Sequence, residues 1–537
     1  MLNFDAGYNP YASKRSTVYA KNGVVATSQP LASQAGLDIL KKGGNAVDAA
    51  IATAACLTVV EPTSNGIGGD AFALVWIKDK LHGLNASGPA PASLSIDALK
   101  KRGLSEIPVH GLIPVTVPGA PSAWGELSRR FGRLPFSDLL QPAINYAENG
   151  YPLSPVLAEF WNKGAAAFEQ KLEGKVFEEW FRIFMPGGKA PRAGEMWKSP
   201  GHARTLRRLA EEGDRSFYEG SIAEEIADFS AAHDGFLSKE DLASFRAEWV
   251  EPIHVSYKGY EVWEIPPNGQ GLVALQALKM IESHPLKERD NEETLHKQIE
   301  ALKLAFADGL EYITDAAKMK KSTAALLSEE YIKERTSLIG EKALDPQAGT
   351  PPKGGTVYLA AADNEGNMVS FIQSNYMGFG SGVVVPDTGI ALQNRGHNFS
   401  MDPDHDNALE GGRKTFHTII PGFLTKGNEA VGPFGVMGGF MQPQGHMQVV
   451  MNTIDFHMNP QAALDAPRWQ WLSGKKIRIE HAFSSSTIQQ LAARGHQMET
   501  AHHSGSFGRG QIIWKDKASG VYAAGTESRT DGSISAW

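Results

Sequence analysis

The chain has 537 residues, of which 42% are hydrophobic and 21% charged, and its net charge is −8 from 52 basic and 60 acidic side chains. That balance is ordinary for a globular protein, and no basic stripe or aromatic-interleaved basic run marks a nucleic-acid partner. The single cysteine, Cys56, excludes an intrachain disulfide and is compatible with a reducing compartment.

The size prior alone suggests three or four domains. Residues 1–10 lack the basic-then-apolar pattern of a secretory leader. The longest apolar stretch, residues 49–60, is too short to cross a bilayer. A cytoplasmic protein without a membrane partner is expected.

Residues 33–60 predict helix, split at Gly43-Gly44 into 34–42 and a second segment from about Asn45. Asn45 is the expected N-cap, with Asp48 three residues on, close to a capping box. The second segment is apolar nearly all round and should be buried, which makes Cys56 a small core residue rather than a reactive thiol. Residues 61–70 form a glycine-rich loop without GxGxxG or GxxxxGK[ST], so close backbone packing is preferred to a phosphate cradle. Residues 71–77 and 81–86 predict paired strands around a turn at 78–80.

From 111 to about 320 the pattern is mostly helical, clearest at 122–130, 136–148, 203–212 and 293–310. Residues 264–271 interrupt it as an extended loop. Residues 345–355 are rich in proline and glycine and read as an exposed linker or cleavable loop. Strand character follows. Residues 356–362 and 368–373 predict a hairpin around 363–367. Further strands are expected at 382–386, 418–424 and 430–436. A helix over 444–455 starts directly after Gly438-Gly439-Phe-Met-Gln-Pro443.

A threonine after Gly-Gly, at the head of a strand and behind a loose loop, fits one mechanism in particular. Cutting the chain before Thr356 would give it an α-amino group with a pKa of about 8, able to accept the hydroxyl proton. The β-branch restricts the side chain, and Gly355 leaves room for attack on the preceding carbonyl. The bland alternative is a loop end.

Longer motifs decide between them. Gly43-Gly-Asn-Ala-Val-Asp-Ala-Ala50 with Val60-Glu-Pro-Thr-Ser-Asn-Gly-Ile-Gly-Gly69 comes first, followed by Val117-Pro-Gly-Ala120 and Pro266-Pro-Asn-Gly-Gln-Gly271. Gly355-Thr356, Asp363, Gly366-Asn367 and Gly438-Gly439 complete the set. In this order they resemble the γ-glutamyltransferase, or glutathione hydrolase, family from about Gly23 to Trp537. The resemblance implies an α+β fold, the four-layer αββα sandwich of N-terminal-nucleophile hydrolases. It implies self-cleavage between Gly355 and Thr356, giving a large subunit 1–355 and a small subunit 356–537 associated as a heterodimer. Neither metal nor organic cofactor is expected.

The resemblance also assigns roles. Thr356 is the nucleophile and its free amine the base. Gly438 and Gly439 offer backbone N–H groups to the oxyanion, before a helix N-terminus. Ser374 falls where the family has a threonine that hydrogen-bonds the nucleophile. The head-group pocket departs from the pattern. Ser87 stands at the position of the family's carboxylate-gripping arginine and Tyr376 at that of its asparagine. Arg395 and Asn398 replace a glutamine and an aspartate, and the serine pair falls near His417-Thr418. Losing the arginine and the aspartate removes the matched charges that a zwitterion needs. Arg395 restores a cation from another wall.

The expected substrate is therefore a γ-glutamyl or related acyl amide, with water or an amine as acceptor. One alternative is a glutaryl-amide acylase of the cephalosporin-acylase type. Another is an uncut, inactive homologue that serves as a binding protein. His446 is expected to be a packed or cap-bonded histidine. His502-His503 should be a loop, the Asp402, Asp404, Asp406 run a solvated acidic turn, and Ser93 and Ser122 lack a GxSxG elbow.

Overall fold

The computed structural model describes residues 15–346 and 355–537. The leader reading at 1–10 and most of the loop at 345–355 lie outside the described residues. Two seven-stranded antiparallel sheets face each other. The first runs Ser533–Ala536, Gly23–Thr27, Gly355–Asp363, Met368–Tyr376, Asp70–Ile77, Lys80–Ala86, Glu248–Val250. The second runs Val18–Ala20, Tyr522–Thr526, Arg509–Lys515, Glu429–Met437, Gly422–Lys426, Tyr260–Glu264, Ile253–Tyr257.

The strand period of two sorts side chains into layers. Phe72, Leu74, Trp76, Tyr358, Ala360 and Ile372 of the first sheet pack against Phe423, Met437, Ile513 and Tyr522 of the second. The intervening residues Ala73, Val75, Val357, Leu359, Val369 and Phe371 point outward and bury against Pro30–Lys41 and Ala46–Val60. On the far side, Val262, Leu424, Phe434 and Val436 pack on the helices Gly271–Glu282, Glu292–Tyr312 and Met441–Ile454. These are the four layers αββα in one continuous fold, rather than the several domains that length suggests. The sheets approach closely where Gly435 lies under the Tyr358 ring, 2.5 Å from where a β-carbon would stand.

The helix Ala46–Val60 is buried along its whole length, and Asn45 with Asp48 forms the full capping box. Cys56 on it is fully buried, which pushes its thiol up and leaves it inert. Two expectations need correction and one needs refinement. Residues 382–386 form no strand. Their apolar side chains are core residues of an irregular loop held by one bridge, Val384 to Ala391. The 111–320 stretch is mostly helical, as expected, but its interruption begins before 264: Ile253–Tyr257 and Tyr260–Glu264 form a hairpin whose turn residues Lys258 and Gly259 both take positive φ. The late helix starts at Met441, not 444, because Pro443 sits in its first turn, where the missing N–H costs nothing. Among the described residues no helix is long and apolar enough to cross a membrane.

Candidate active site

Inward alternation puts Asp70, Thr356, Ser374 and Tyr376 on the inner face of the first sheet. Gly355 pairs with Tyr376 and Val357 with Gln373, and the register shift between them sets Thr356 beside Ser374. Thr356 Oγ1 donates to Ser374 Oγ at 3.1 Å. Ser374 Oγ in turn donates to the Gly355 carbonyl at 2.7 Å. The Ser374 oxygen also accepts from the Tyr376 N–H at 2.8 Å and lies 3.5 Å from Arg395 Nη2. Thr356, Ser374, Tyr376 and Arg395 are all fully buried.

Arg395 starts a short turn over Arg395–Asn398. Its guanidinium lies 4.2 Å above the Tyr376 ring and donates to Thr418 Oγ1 at 2.6 Å, while its Nε has no partner among the described residues. Burial pulls its pKa down to about 10, which leaves it protonated at neutral pH. Tyr376 takes a left-handed φ of 75°, a costly conformation for a side chain of this size. Its hydroxyl donates to Asn398 Oδ1, and Asn398 Nδ2 donates to the Phe416 carbonyl at 3.0 Å. Five expected residues, Thr356, Ser374, Tyr376, Arg395 and Thr418, thus form one bonded set, with Asn398 at its edge.

Gly438 and Gly439 take φ of 134° and 61° just before Met441–Ile454. Among the described residues neither N–H donates to a backbone acceptor. Gln270 ties this turn to the set: its Nε2 donates to the Thr418 carbonyl at 2.5 Å and to the Gly439 carbonyl at 2.9 Å.

Two expected pocket residues are engaged elsewhere. His417 Nδ1 accepts from the Ile419 N–H at 3.3 Å, so its Nε2 donates to Asp70 Oδ2 at 2.9 Å. Burial, with the nearby Arg395 and Lys414 charges, holds His417 neutral, so this is a hydrogen bond rather than an ion pair. Ser87 bonds Asn85 Oδ1 through its own N–H and hydroxyl at 3.0 and 2.7 Å and accepts from Asn268 at 3.1 Å. It touches neither Thr356 nor Arg395.

Asp70 and Gln270 were not singled out by sequence reasoning. A fully buried aspartate at the head of an apolar strand is a usable signal, because such residues are almost never buried unpaired. Asp70 Oδ1 accepts from Gln393 at 2.8 Å and from the Gly88 N–H at 3.3 Å. Burial raises its pKa to about 7 against the opposing pull of Arg395.

The other candidates stay outside the site. His446 Nδ1 bonds Glu264 Oε1 at 2.6 Å inside the core. His502 and His503 are exposed loop residues. The acidic turn is not wholly solvated: Asp406 is buried and paired with Lys320 at 2.7 Å.

Two facing antiparallel sheets between helical layers, with a strand-leading threonine on the inner face, define the N-terminal-nucleophile class of hydrolases. The γ-glutamyltranspeptidase family model matches residues 32–537, and the chain belongs to that family. A crystal structure of cephalosporin acylase from Bacillus halodurans is 61% identical with a TM-score of 0.97, over 100% of this chain and 99% of that one. A glutathione hydrolase-like proenzyme of Bacillus subtilis is 36% identical over 96% of this chain and 98% of its own. An oxamate amidohydrolase proenzyme of Klebsiella pneumoniae is 34% identical over 97% and 100%. The chain is an acyl-amide hydrolase or acyltransferase of this family.

Proposed function

We propose that the chain is a self-processing proenzyme that cuts itself between Gly355 and Thr356 and then uses Thr356 to cleave amides of carboxylate-bearing acyl groups. The observation that carries this reading is the position of the Thr356 hydroxyl beside Ser374, which holds the carbonyl of the bond to be cut. The products are a large subunit 1–355 and a small subunit 356–537, paired as a heterodimer. The new α-amine of Thr356 takes the hydroxyl proton as the oxygen attacks the donor carbonyl. The oxyanion is received by the Gly438 and Gly439 N–H groups, at a helix N-terminus that favours negative charge. The leaving amine takes the proton back, and water or an amine then releases the acyl group from the threonyl ester.

Arg395 supports a carboxylate on the acyl group. It is a buried cation with no carboxylate in salt-bridge contact among the described residues, and it has an unused N–H. Nothing comparable awaits an α-ammonium, since Asp70 is engaged by His417, Gln393 and Gly88. This favours a des-amino donor such as a glutaryl amide over a γ-glutamyl one, and the likeness to a cephalosporin acylase agrees with it.

Intact mass spectrometry of purified protein tests processing: fragments of about 38 and 20 kDa are expected when the 58.0 kDa chain is divided by residue number at Thr356. Thr356→Ala should give only the uncut chain. Both fragments from Thr356→Ala would refute the nucleophile assignment, and a single inactive chain from the wild type would favour a binding protein. Paired assays on glutaryl and γ-glutamyl anilides test the donor, and faster γ-glutamyl turnover would overturn that choice.

A further inference from the structure

In the uncut chain the amine that would serve as base is still an amide, so self-cleavage needs another route for the Thr356 proton. Among the described residues the hydroxyl of Thr356 has one partner, Ser374 Oγ. The titratable groups nearby are committed. Both Asp70 oxygens accept other bonds, His417 donates to Asp70 and accepts from Ile419, and the Tyr376 hydroxyl points to Asn398. Ser374 accepts from Thr356 and donates to the Gly355 carbonyl, so a continuous path runs from the attacking oxygen to the oxygen that must gain a proton.

We propose that Ser374 is the acid and base of self-cleavage, a two-way proton relay, and that Arg395 positions and polarises it. The inference rests on Thr356 being the nucleophile. As Thr356 Oγ1 bonds to the Gly355 carbonyl carbon, its proton passes to Ser374 Oγ, and the Ser374 proton passes to the Gly355 oxygen. The result is a neutral five-membered hydroxy-oxazolidine, with no net charge built up and no outside base. Collapse then breaks the C–N bond: the Gly355 hydroxyl proton returns through Ser374 to the leaving nitrogen, the carbonyl reforms, and the acyl group rests as an ester on Thr356. Water hydrolyses that ester and leaves a free amine on Thr356 and a carboxylate on Gly355. Donation from the Tyr376 N–H and the Arg395 guanidinium to the Ser374 oxygen makes its own O–H a stronger donor toward Gly355.

The test is a pulse-labelled time course of the full chain in cell-free translation, followed by gel as the precursor converts to two fragments. Ser374→Ala should slow conversion by about 10²-fold or more, the usual size of general acid–base contributions. Ser374→Thr should stay within about tenfold of the wild type. Arg395→Lys should be slowed less than Arg395→Gly, and added guanidinium should partly restore Arg395→Gly, which a purely structural loss would not allow. Since neither hydroxyl titrates near neutrality, the wild-type rate should vary less than about tenfold between pH 5.5 and 9. This last measurement needs no variant to fold. A tenfold rise per pH unit would mean a titrating base and would overturn the relay. Conversion of Ser374→Ala at the wild-type rate would do the same. Conversion of Thr356→Ala would instead remove the nucleophile beneath both readings.

Discussion

Arg395 and Asp70 are opposite charges buried in one site without touching, and their balance should set how the site receives an anion. Burial holds the Asp70 carboxyl up at about 7, opposed by Arg395 first, then by the Gln393 and Gly88 hydrogen bonds and Lys414. Below that pH Asp70 is neutral and the Arg395 charge is unopposed. Above it, Asp70 ionises and competes with a donor carboxylate. A bound carboxylate raises the Asp70 pKa further, so binding takes up a proton. KM for a carboxylate-bearing donor should therefore rise with pH through about 7, by up to about tenfold per unit. The kcat should follow the Thr356 amine, which must be unprotonated and so gains activity as pH rises toward about 8. Measuring KM and kcat separately from pH 5.5 to 8.5 checks both. Asp70→Asn should flatten the KM trend and leave the kcat trend, and an unchanged KM trend would remove Asp70 from the account.

At the scale of elements, the turn before Met441–Ile454 makes the next prediction. Gly439 has a left-handed φ of 61°, and a β-carbon there costs about 1–2 kcal/mol. Relief of that strain would rotate the peptide and turn an N–H away from the oxyanion. Gly439→Ala should fold, lose about 10²–10³ in kcat and change KM little, which steady-state kinetics on the processed enzyme would show. The glycine pair was legible in sequence because it sits at a strand-to-helix junction within a family motif. Thr356 and Ser374 were legible from the family motif, Thr356 at a strand head after Gly-Gly and Ser374 at the position of a threonine, and the pairing of their strands sets the two side by side. The pocket wall was less so: Arg395 and Thr418 meet only through tertiary folding, and Ser87 matched a family position while its hydroxyl turned toward Asn85. The hairpin at 253–264 was hidden by its helical surroundings, although Ile253-His-Val-Ser-Tyr257 alternates and Lys258-Gly259 is a two-residue turn. The apolar run at 382–386 misled for the opposite reason. Burial needs apolar side chains whether or not a ladder is present.

At the scale of the molecule, the proposed cut would leave two chains that cannot simply part. Strands from both sides of Thr356 alternate in the two sheets, with Gly23–Thr27 beside Gly355–Asp363 and Tyr260–Glu264 beside Gly422–Lys426. A second tie lies far from the nucleophile, where His296, Glu300 and Lys303 of Glu292–Tyr312 meet His496. The two histidines and Glu300 could outline a cation site, but Lys303 Nζ already fills the cation's place, 2.7 Å from Glu300 Oε1 and 3.5 Å from His496 Nδ1. Lys303 also donates to the Leu344 carbonyl at 3.1 Å, Glu300 accepts from the Leu344 N–H at 2.8 Å, and His296 Nε2 bonds the Gly340 carbonyl at 3.0 Å. The network therefore pins residues 340–344, near the end of the proposed large subunit, onto both that helix and the proposed small subunit. Lys303 and Glu300 are completely buried, so removing one strands the other's charge. Lys303→Met should cost about 3–5 kcal/mol of stability, the usual penalty for breaking a buried pair, and lower the melting temperature. The effect on kcat should be small, because no bond links this network to Thr356. A Lys303→Met, Glu300→Gln double variant should recover part of the loss by removing the orphaned carboxylate. Calorimetry of the processed protein would decide it, and a single variant that melts with the wild type would mean Glu300 takes up a proton without cost and the pair holds nothing together.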